Sequence, residues 1–337
     1  MTDVKLSLDQ AHDLAMRCLR QAGCDERNAR AVADTVIAAE RDGAQSHGLF
    51  RLPGYLASLK SGKVNGQADP KADRISPGVV RVDGDMGYAP LALEVGREPL
   101  AEAARENGVA ALAIVRTHHF AALWIETSAL AEMGLAAFAF TAYMPAVAPA
   151  GGSKPFFGTN PMSFAWPRRD HPPMVFDQAS AAMARGEIQI AARDGHDVPV
   201  GAGVDANGNP TTDPNAILGG GAQLAFGGYK GAALALMIEL LVGPLIGEAT
   251  SVEAGRRDSK DGGPPTSGEL MLAIDPARFG AVGFEDHAEA LFAELLSQDG
   301  VRLPGDRRHG NRQSTPQTGI AIPQALFDKI QTAVPRG

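Results

Sequence analysis

The chain has 337 residues, a formal charge of −8, and is 45% hydrophobic and 21% charged. That is the composition of a soluble globular protein long enough for about two domains or one large one, with a core that needs no disulfide or metal staples. The acidic balance argues against nonspecific nucleic-acid binding, but not against a small anion met by a local cluster of cations.

The first 60 residues read as helices. Ser7 and Gln10 predict a capping box ahead of "LDQAHDLAMRCLRQAG", with Gly23 as its stop. The two cysteines, Cys18 and Cys24, fall in this stretch without CxxC or zinc spacing and read as thiols of a reducing compartment. Asp25 predicts a cap for "ERNARAVADTVIAAERDG", and Ser46 one for a third helix, "HGLFRLPGYLASLKSG", bent or delayed by Pro53. Residues 63–77 are rich in Gly, Pro, Asp and Lys and read as a connector. Strand and helix patterns then alternate: "GVVRVDG", "PLALEVGREPLAEAARENG", "VAALAIVRT", "AALWIETSALAEMG" and "LAAFAFTA" predict a layered α/β middle. "MSFAWP", "PMVFD" and "ELMLAID" read as strands. "GYKGAALALMIELL", "DHAEALFAELLSQDG" and "IPQALFDKIQTAV" read as helices, the last with Pro323 near its first position. The N-terminus has no basic region followed by an apolar run, so no secretory signal is expected and the cytoplasm is the expected location. The longest apolar stretch, residues 231–247, is interrupted by Glu239 and Pro244 and is short of the roughly 20 residues a membrane span requires.

Five segments carry candidate chemistry. In "AQSHGLFR", His47 and Arg51 are four apart and would share a helix face. A guanidinium fork matches a carboxylate, a histidine beside it can donate a proton, and Ser46 can steer the imidazole. The grouping suits reduction of a 2-oxo or 2-imino acid; the same spacing also fits a solvated helix face. "RTHHFAALW" runs from a strand into a helix, where free N–H groups can cradle phosphate. "APAGGSKPFFGTNPMSFAWP" offers Thr159 and Asn160 on a loop, and "GGYKGAALAL" a glycine-lysine turn opening a helix that is not a Walker A motif. "VRLPGDRRHGNR" concentrates four arginines and a histidine, fitting either a phosphate or a solvated face. There is no strand–GxGxxG–helix unit, so a Rossmann dinucleotide site is unsupported. No metal-ligand cluster occurs.

In order, "SHGLFRLPGY", "RTHHFAALW", "FFGTNP", "FDQASAAMARGEI", "DANGNPTTDP", "GGYKGAALALMIELL" and "RLPGDRR" resemble the malate/L-lactate dehydrogenase-like, non-Rossmann NAD(P)-dependent oxidoreductases over essentially the whole chain. The wording "HHFAALW", "MARGEIQIAARDG" and "GGPPTSGELMLAIDP" is most similar to the Δ1-piperideine-2-carboxylate/Δ1-pyrroline-2-carboxylate reductases of that family.

The resemblance implies an α/β (α+β) two-domain fold. A helical domain would be built from residues 1–75 with 300–337, and a central mixed-sheet cofactor domain from residues 76–299. It implies a homodimer that reduces small cyclic imino acids with NADPH, NADH being the alternative cofactor, and no nucleic-acid or membrane partner. Reduction of 2-oxo acids is the alternative activity, and a catalytically silent binding protein the alternative of another class. Carried over residue by residue, Ser46 would be a relay, His47 the proton donor, Arg51 the carboxylate clamp and Thr159 a substrate contact. The cofactor would be held by His119, Phe120, Ala121, Ala122 and Leu123, by Asp177, Gln178 and Ala179, by Lys230, and by Arg302, Leu303, Pro304, Gly305, Asp306, Arg307 and Arg308. Position 229, often histidine in relatives, is Tyr229 here. Of the two acids that can complete the relay, Glu187 is preferred to Asp177, which sits in the expected cofactor strand.

Overall fold

The computed structural model describes residues 3–118 and 122–333. Its elements, in chain order, begin with β1 (Asp3–Leu6), α1 (Leu8–Gln21), α2 (Glu26–Arg41), two 3-10 turns (Gln45–His47 and Leu49–Arg51) and α3 (Leu52–Lys60). The middle holds β2 (Lys71–Ser76), β3 (Val79–Asp83), α4 (Ala89–Asn107), β4 (Val109–His118), α5 (Leu123–Glu132), β5 (Ala136–Thr141), β6 (Met162–Trp166), β7 (Met174–Gln178), α6 (Arg185–Asp194), β8 (Gly203–Val204), β9 (Pro210–Thr211), α7 (Pro214–Leu218), β10 (Ala222–Gln223), α8 (Tyr229–Val242), α9 (Ser251–Arg257) and β11 (Thr266–Ile274). The chain closes with a 3-10 turn (Pro276–Phe279), α10 (Phe284–Leu296), α11 (Asp306–Thr318), β12 (Ile320–Pro323) and α12 (Gln324–Thr332).

Local signals placed the first helices. Ser7 and Gln10 form the reciprocal capping box of α1, and the Asp25 carboxylate caps α2 by accepting the Asn28 N–H at 2.8 Å. Antiparallel pairing of β1 with β12 brings the two ends of the chain together, so Ile320, Ile322 and Ile330 pack with Leu14, Val32 and Leu52 in one helical core.

The seven-stranded sheet runs β2-β3-β4-β11-β5-β6-β7; only the β3–β4 pair is parallel. Its central strands read as unbroken apolar runs because both faces are covered. In β4, Ala110, Leu112 and Ile114 face the core under α4 and α5, while Ala113 and Val115 face the core under α8. The arrangement is not doubly wound, in keeping with the missing glycine fingerprint. No described helix is long and apolar enough to cross a membrane.

Three readings are corrected. The segment taken for a connector contains β2, an exposed edge strand whose polar residues mask it. The arginine-rich run, read as a charge cluster with no helix assigned to it, continues into α11. The third helix does not begin at Ser46: the chain makes two 3-10 turns that break at Gly48, and α3 starts only at Leu52. The cause is Glu40, whose buried carboxylate accepts the Leu49 N–H at 2.7 Å. A Cβ at Gly48 would lie 2.2 Å from that carboxylate, so glycine is needed for close approach.

Candidate active site

A cavity of about 600 Å³ opens where the Ser46–Arg51 segment, α5, the ends of β5 and β7, the start of α6 and the start of α11 meet. Ser46, His47, Arg51, Thr159, Asp177, Gln178, Ala179, Glu187, Arg307 and Arg308, scattered along the sequence, all line it. Its size suits a small ligand with part of a cofactor.

The Ser46 hydroxyl lies 3.1 Å from His47 Nδ1, which fixes the imidazole plane. Arg51 Nε donates to the Ser46 carbonyl at 2.6 Å, so the 3-10 turns tie all three side chains together. Burial lowers the Arg51 pKa from its ordinary 12.5, a cost that a bound carboxylate would relieve. The same burial pushes the neighbouring Tyr143 phenol up. Gly186 allows α6 to approach: a Cβ there would be 2.9 Å from Ser46 Cβ and 3.1 Å from an Arg51 nitrogen. Glu40, under the turn, is lifted to about 7 by burial, against the opposing pull of the Leu49 N–H.

Trp124 links this segment to the far end of the cavity. Its ring meets the His47 ring edge-on, with centroids 6.0 Å apart, and the Arg308 guanidinium lies over the Trp124 ring, 4.7 Å from its centroid. Its indole N–H donates to Asp42 at 2.9 Å and its backbone N–H to Asp177 at 3.1 Å. Asp42 also accepts three contacts of 2.8–3.0 Å from Arg312 on α11. Beside them, Arg302, Leu303, Pro304, Gly305, Arg307 and Arg308 surround a recess of about 310 Å³. Arg302 and Arg307 make no ion pair among the described residues. Gly305, at φ 98°, brings the loop so near β7 that a Cβ would sit 3.1 Å from the Val175 carbonyl. Three guanidiniums around a backbone-lined recess are a donor set that fits phosphate.

Other expected contacts lie elsewhere. Asp306 accepts the Leu303 N–H at 2.8 Å and closes its own turn. Ala122 and Leu123 are buried, Leu123 in the core beneath the sheet. Lys230 is exposed at the start of α8 and does not line the cavity. His119, Phe120 and Ala121 lie outside the described residues. Glu187 is exposed at the cavity edge, and its carboxylate makes no hydrogen bond or ion pair among the described residues.

Sequence reasoning missed Asp42, Trp124, Tyr143 and Arg185. The cue for Arg185 was its place directly before Gly186: the glycine that admits α6 carries the preceding guanidinium into the same cavity. Burial lowers its pKa too, and no ion pair among the described residues offsets its charge.

Residues 6–331 match the family model described as malate/L-lactate dehydrogenase. The chain belongs to this family. It is therefore a nicotinamide-dependent oxidoreductase. It is 49% identical over 330 residues to a Δ1-pyrroline-2-carboxylate/Δ1-piperideine-2-carboxylate reductase of Pseudomonas aeruginosa, covering 97% of this chain and 98% of that one. It is 48% identical over 337 residues to a Δ1-pyrroline-2-carboxylate reductase of Ancylobacter novellus, covering 99% and 98%. The crystal structure of Δ1-piperideine-2-carboxylate reductase from Pseudomonas syringae pv. tomato superposes with a TM-score of 0.93 at 43% identity, covering 98% of this chain and 99% of that one.

Proposed function

We propose that the chain reduces cyclic imino acids, Δ1-piperideine-2-carboxylate to L-pipecolate and Δ1-pyrroline-2-carboxylate to L-proline, using NADPH. The observation that carries the reading is the half-buried Arg51 guanidinium held beside the Ser46–His47 pair in the cavity. A nicotinamide cofactor, whose phosphates Arg302, Arg307 and Arg308 would hold, would supply the hydride that C2 of the C=N bond receives, while the ring nitrogen takes a proton. Arg51, with Arg185 facing the same cavity, holds the substrate carboxylate and so fixes which carbon is presented. With Nδ1 accepting from Ser46, His47 carries its proton on Nε2 and delivers it to the nitrogen. Thr159 lines the wall against the ring. Glu187, in the first turn of α6 at the cavity edge, is the preferred acid to complete the relay, with Asp177, which lines the same cavity and accepts the Trp124 N–H, as the alternative. Arg302, Arg307 and Arg308 support NADPH over NADH, because an extra phosphate rewards unpaired guanidiniums.

Turnover of piperideine-2-carboxylate, pyrroline-2-carboxylate, pyruvate and oxaloacetate, each followed by NADPH and by NADH absorbance, tests this. The expected result is the highest kcat/KM for an imino acid with NADPH. Faster turnover of an oxo acid replaces the reading with 2-oxo acid reduction. Absence of cofactor binding in a titration replaces it with a silent binding protein.

A homodimer is part of the same proposal. Tyr229, Leu236, Leu240 and Leu245 are 71%, 48%, 55% and 64% exposed along and just beyond α8, and an apolar stripe of this kind favours a protein partner. Light scattering is expected to give twice the chain mass, and Leu240→Glu to shift it toward the monomer.

A further inference from the structure

We infer that Glu239, a buried carboxylate on α8, is a positioning residue that fixes one wall of the cavity through Asn160. The inference rests on the reading of that cavity as the catalytic one. Glu239 is only 6% exposed on a helix whose neighbouring inward positions, Ala235, Ile238 and Val242, are apolar. A carboxylate there is costly unless its oxygens are met by donors. They are. Asn160 Nδ2 donates to Oε1 at 2.8 Å, the Ser251 backbone N–H donates to Oε2 at 2.8 Å, and the Ser251 hydroxyl closes on Oε1.

Asn160 passes this restraint on. It is fully buried and sits at φ 37°, in the left-handed region that asparagine enters more readily than most residues. Its amide also donates to the Ala235 carbonyl at 3.1 Å, and its side-chain oxygen accepts the Tyr143 N–H at 3.4 Å. Its carbonyl accepts the Ser180 hydroxyl at 2.7 Å, and the Thr159 carbonyl accepts the Ser180 N–H at 2.8 Å. Gly158 packs so tightly here that a Cβ would lie 2.5 Å from both Asn160 Oδ1 and the Tyr143 carbonyl. Its N–H donates to the Ser251 hydroxyl at 2.8 Å. Tyr143, Thr159 and Pro161 all line the cavity. One carboxylate, which does not itself line the cavity, thus restrains the backbone of the wall formed by Tyr143, Thr159 and Pro161. A displacement of about 1 Å in such a wall is enough to cost about 10²-fold in rate.

The test compares Glu239→Ala, Glu239→Gln and Ser251→Ala with the parent protein. The readouts are kcat and KM on the best substrate of the panel above, calorimetric affinity for pyrrole-2-carboxylate as a planar ring-carboxylate probe, NADPH affinity by titration, and Tm. Glu239→Ala is expected to raise KM and weaken probe binding by about 10- to 100-fold, with NADPH affinity held within about twofold. Glu239→Gln keeps one accepting oxygen but turns its NH2 toward a donor, the Asn160 amide or the Ser251 N–H, so it should recover only part of the loss. Ser251→Ala, which removes only the hydroxyl links, should show a smaller loss of the same kind and serves if Glu239→Ala does not fold. Parent-like KM and probe affinity in the folded variants overturns the inference. So does an equal loss of NADPH affinity, which would mark a general structural defect. A parent protein inactive on imino acids sinks the proposed substrate, while the probe arm still decides the role of Glu239.

Discussion

Replacing Arg51 with lysine is expected to lower kcat/KM for the imino acid by about 10²- to 10³-fold, and replacing it with alanine by at least as much. The reason is geometric. Arg51 Nε is committed to the Ser46 carbonyl at 2.6 Å, which orients the rest of the guanidinium as a planar fork. A lysine keeps the charge but presents a single flexible point, and in a buried place its proton is more easily lost. Losing one partner of a desolvated charge pair costs about 2–5 kcal/mol, and each 1.36 kcal/mol is a factor of ten. The loss should fall on KM as well as kcat, because the clamp acts before and during hydride transfer. His47→Ala should separate from it: general acid catalysis is worth about 10²- to 10⁴-fold, and that loss belongs to kcat, with KM near the parent value. Steady-state kinetics of the two variants, with NADPH saturating, checks both. Near-normal kinetics in both would remove the assigned roles together.

How much of this was legible depends on what each residue answers to. Helix starts were legible because a cap is a local transaction, as at Ser7 and Asp25. Central strands were legible because burial on both faces writes a continuous apolar run, as in "VAALAIVRT". The break at Gly48 was not, because its cause is a carboxylate eight residues earlier on the preceding helix. β2 escaped because an exposed edge strand carries no apolar alternation. In the cavity, the spacing of Ser46, His47 and Arg51 fitted a solvated helix face equally well; the ordered set of motifs around them singled them out, and the structure joins them through 3-10 turns instead of a helix face. Asp42 and Trp124 did not stand out. Their partners, Arg312 and His47, are far away in the sequence, and a lone aspartate or tryptophan carries no motif.

Asp42→Ala is expected to destabilise the fold by about 3–5 kcal/mol, the usual range when one member of a buried ion pair is removed. The Asp42 side chain is 0% exposed and that of Arg312 is 21% exposed, and their bidentate contact fastens α11 to the end of α2. Alanine would leave the guanidinium largely desolvated and the indole N–H of Trp124 without its acceptor. Burial by itself would raise the Asp42 pKa, but the hydrogen bonds from Arg312 and Trp124, with the charges of Arg312 and Arg41, outweigh it and hold the carboxyl below its ordinary 3.8. A depressed carboxyl stabilises the fold above its unfolded pKa and loses that contribution as the pH falls through the folded one. The parent should therefore lose stability as the solution is acidified below about pH 4, and Asp42→Ala should lose less over the same range. Denaturant midpoints measured at neutral pH and at acid pH check both statements. Function should follow stability here, because the Trp124 that Asp42 holds lies between the His47 imidazole and the Arg308 guanidinium. Asp42→Asn keeps an acceptor for the indole while losing the charge for Arg312. It should therefore retain more kcat than the alanine variant, while still loosening α11 and weakening NADPH binding.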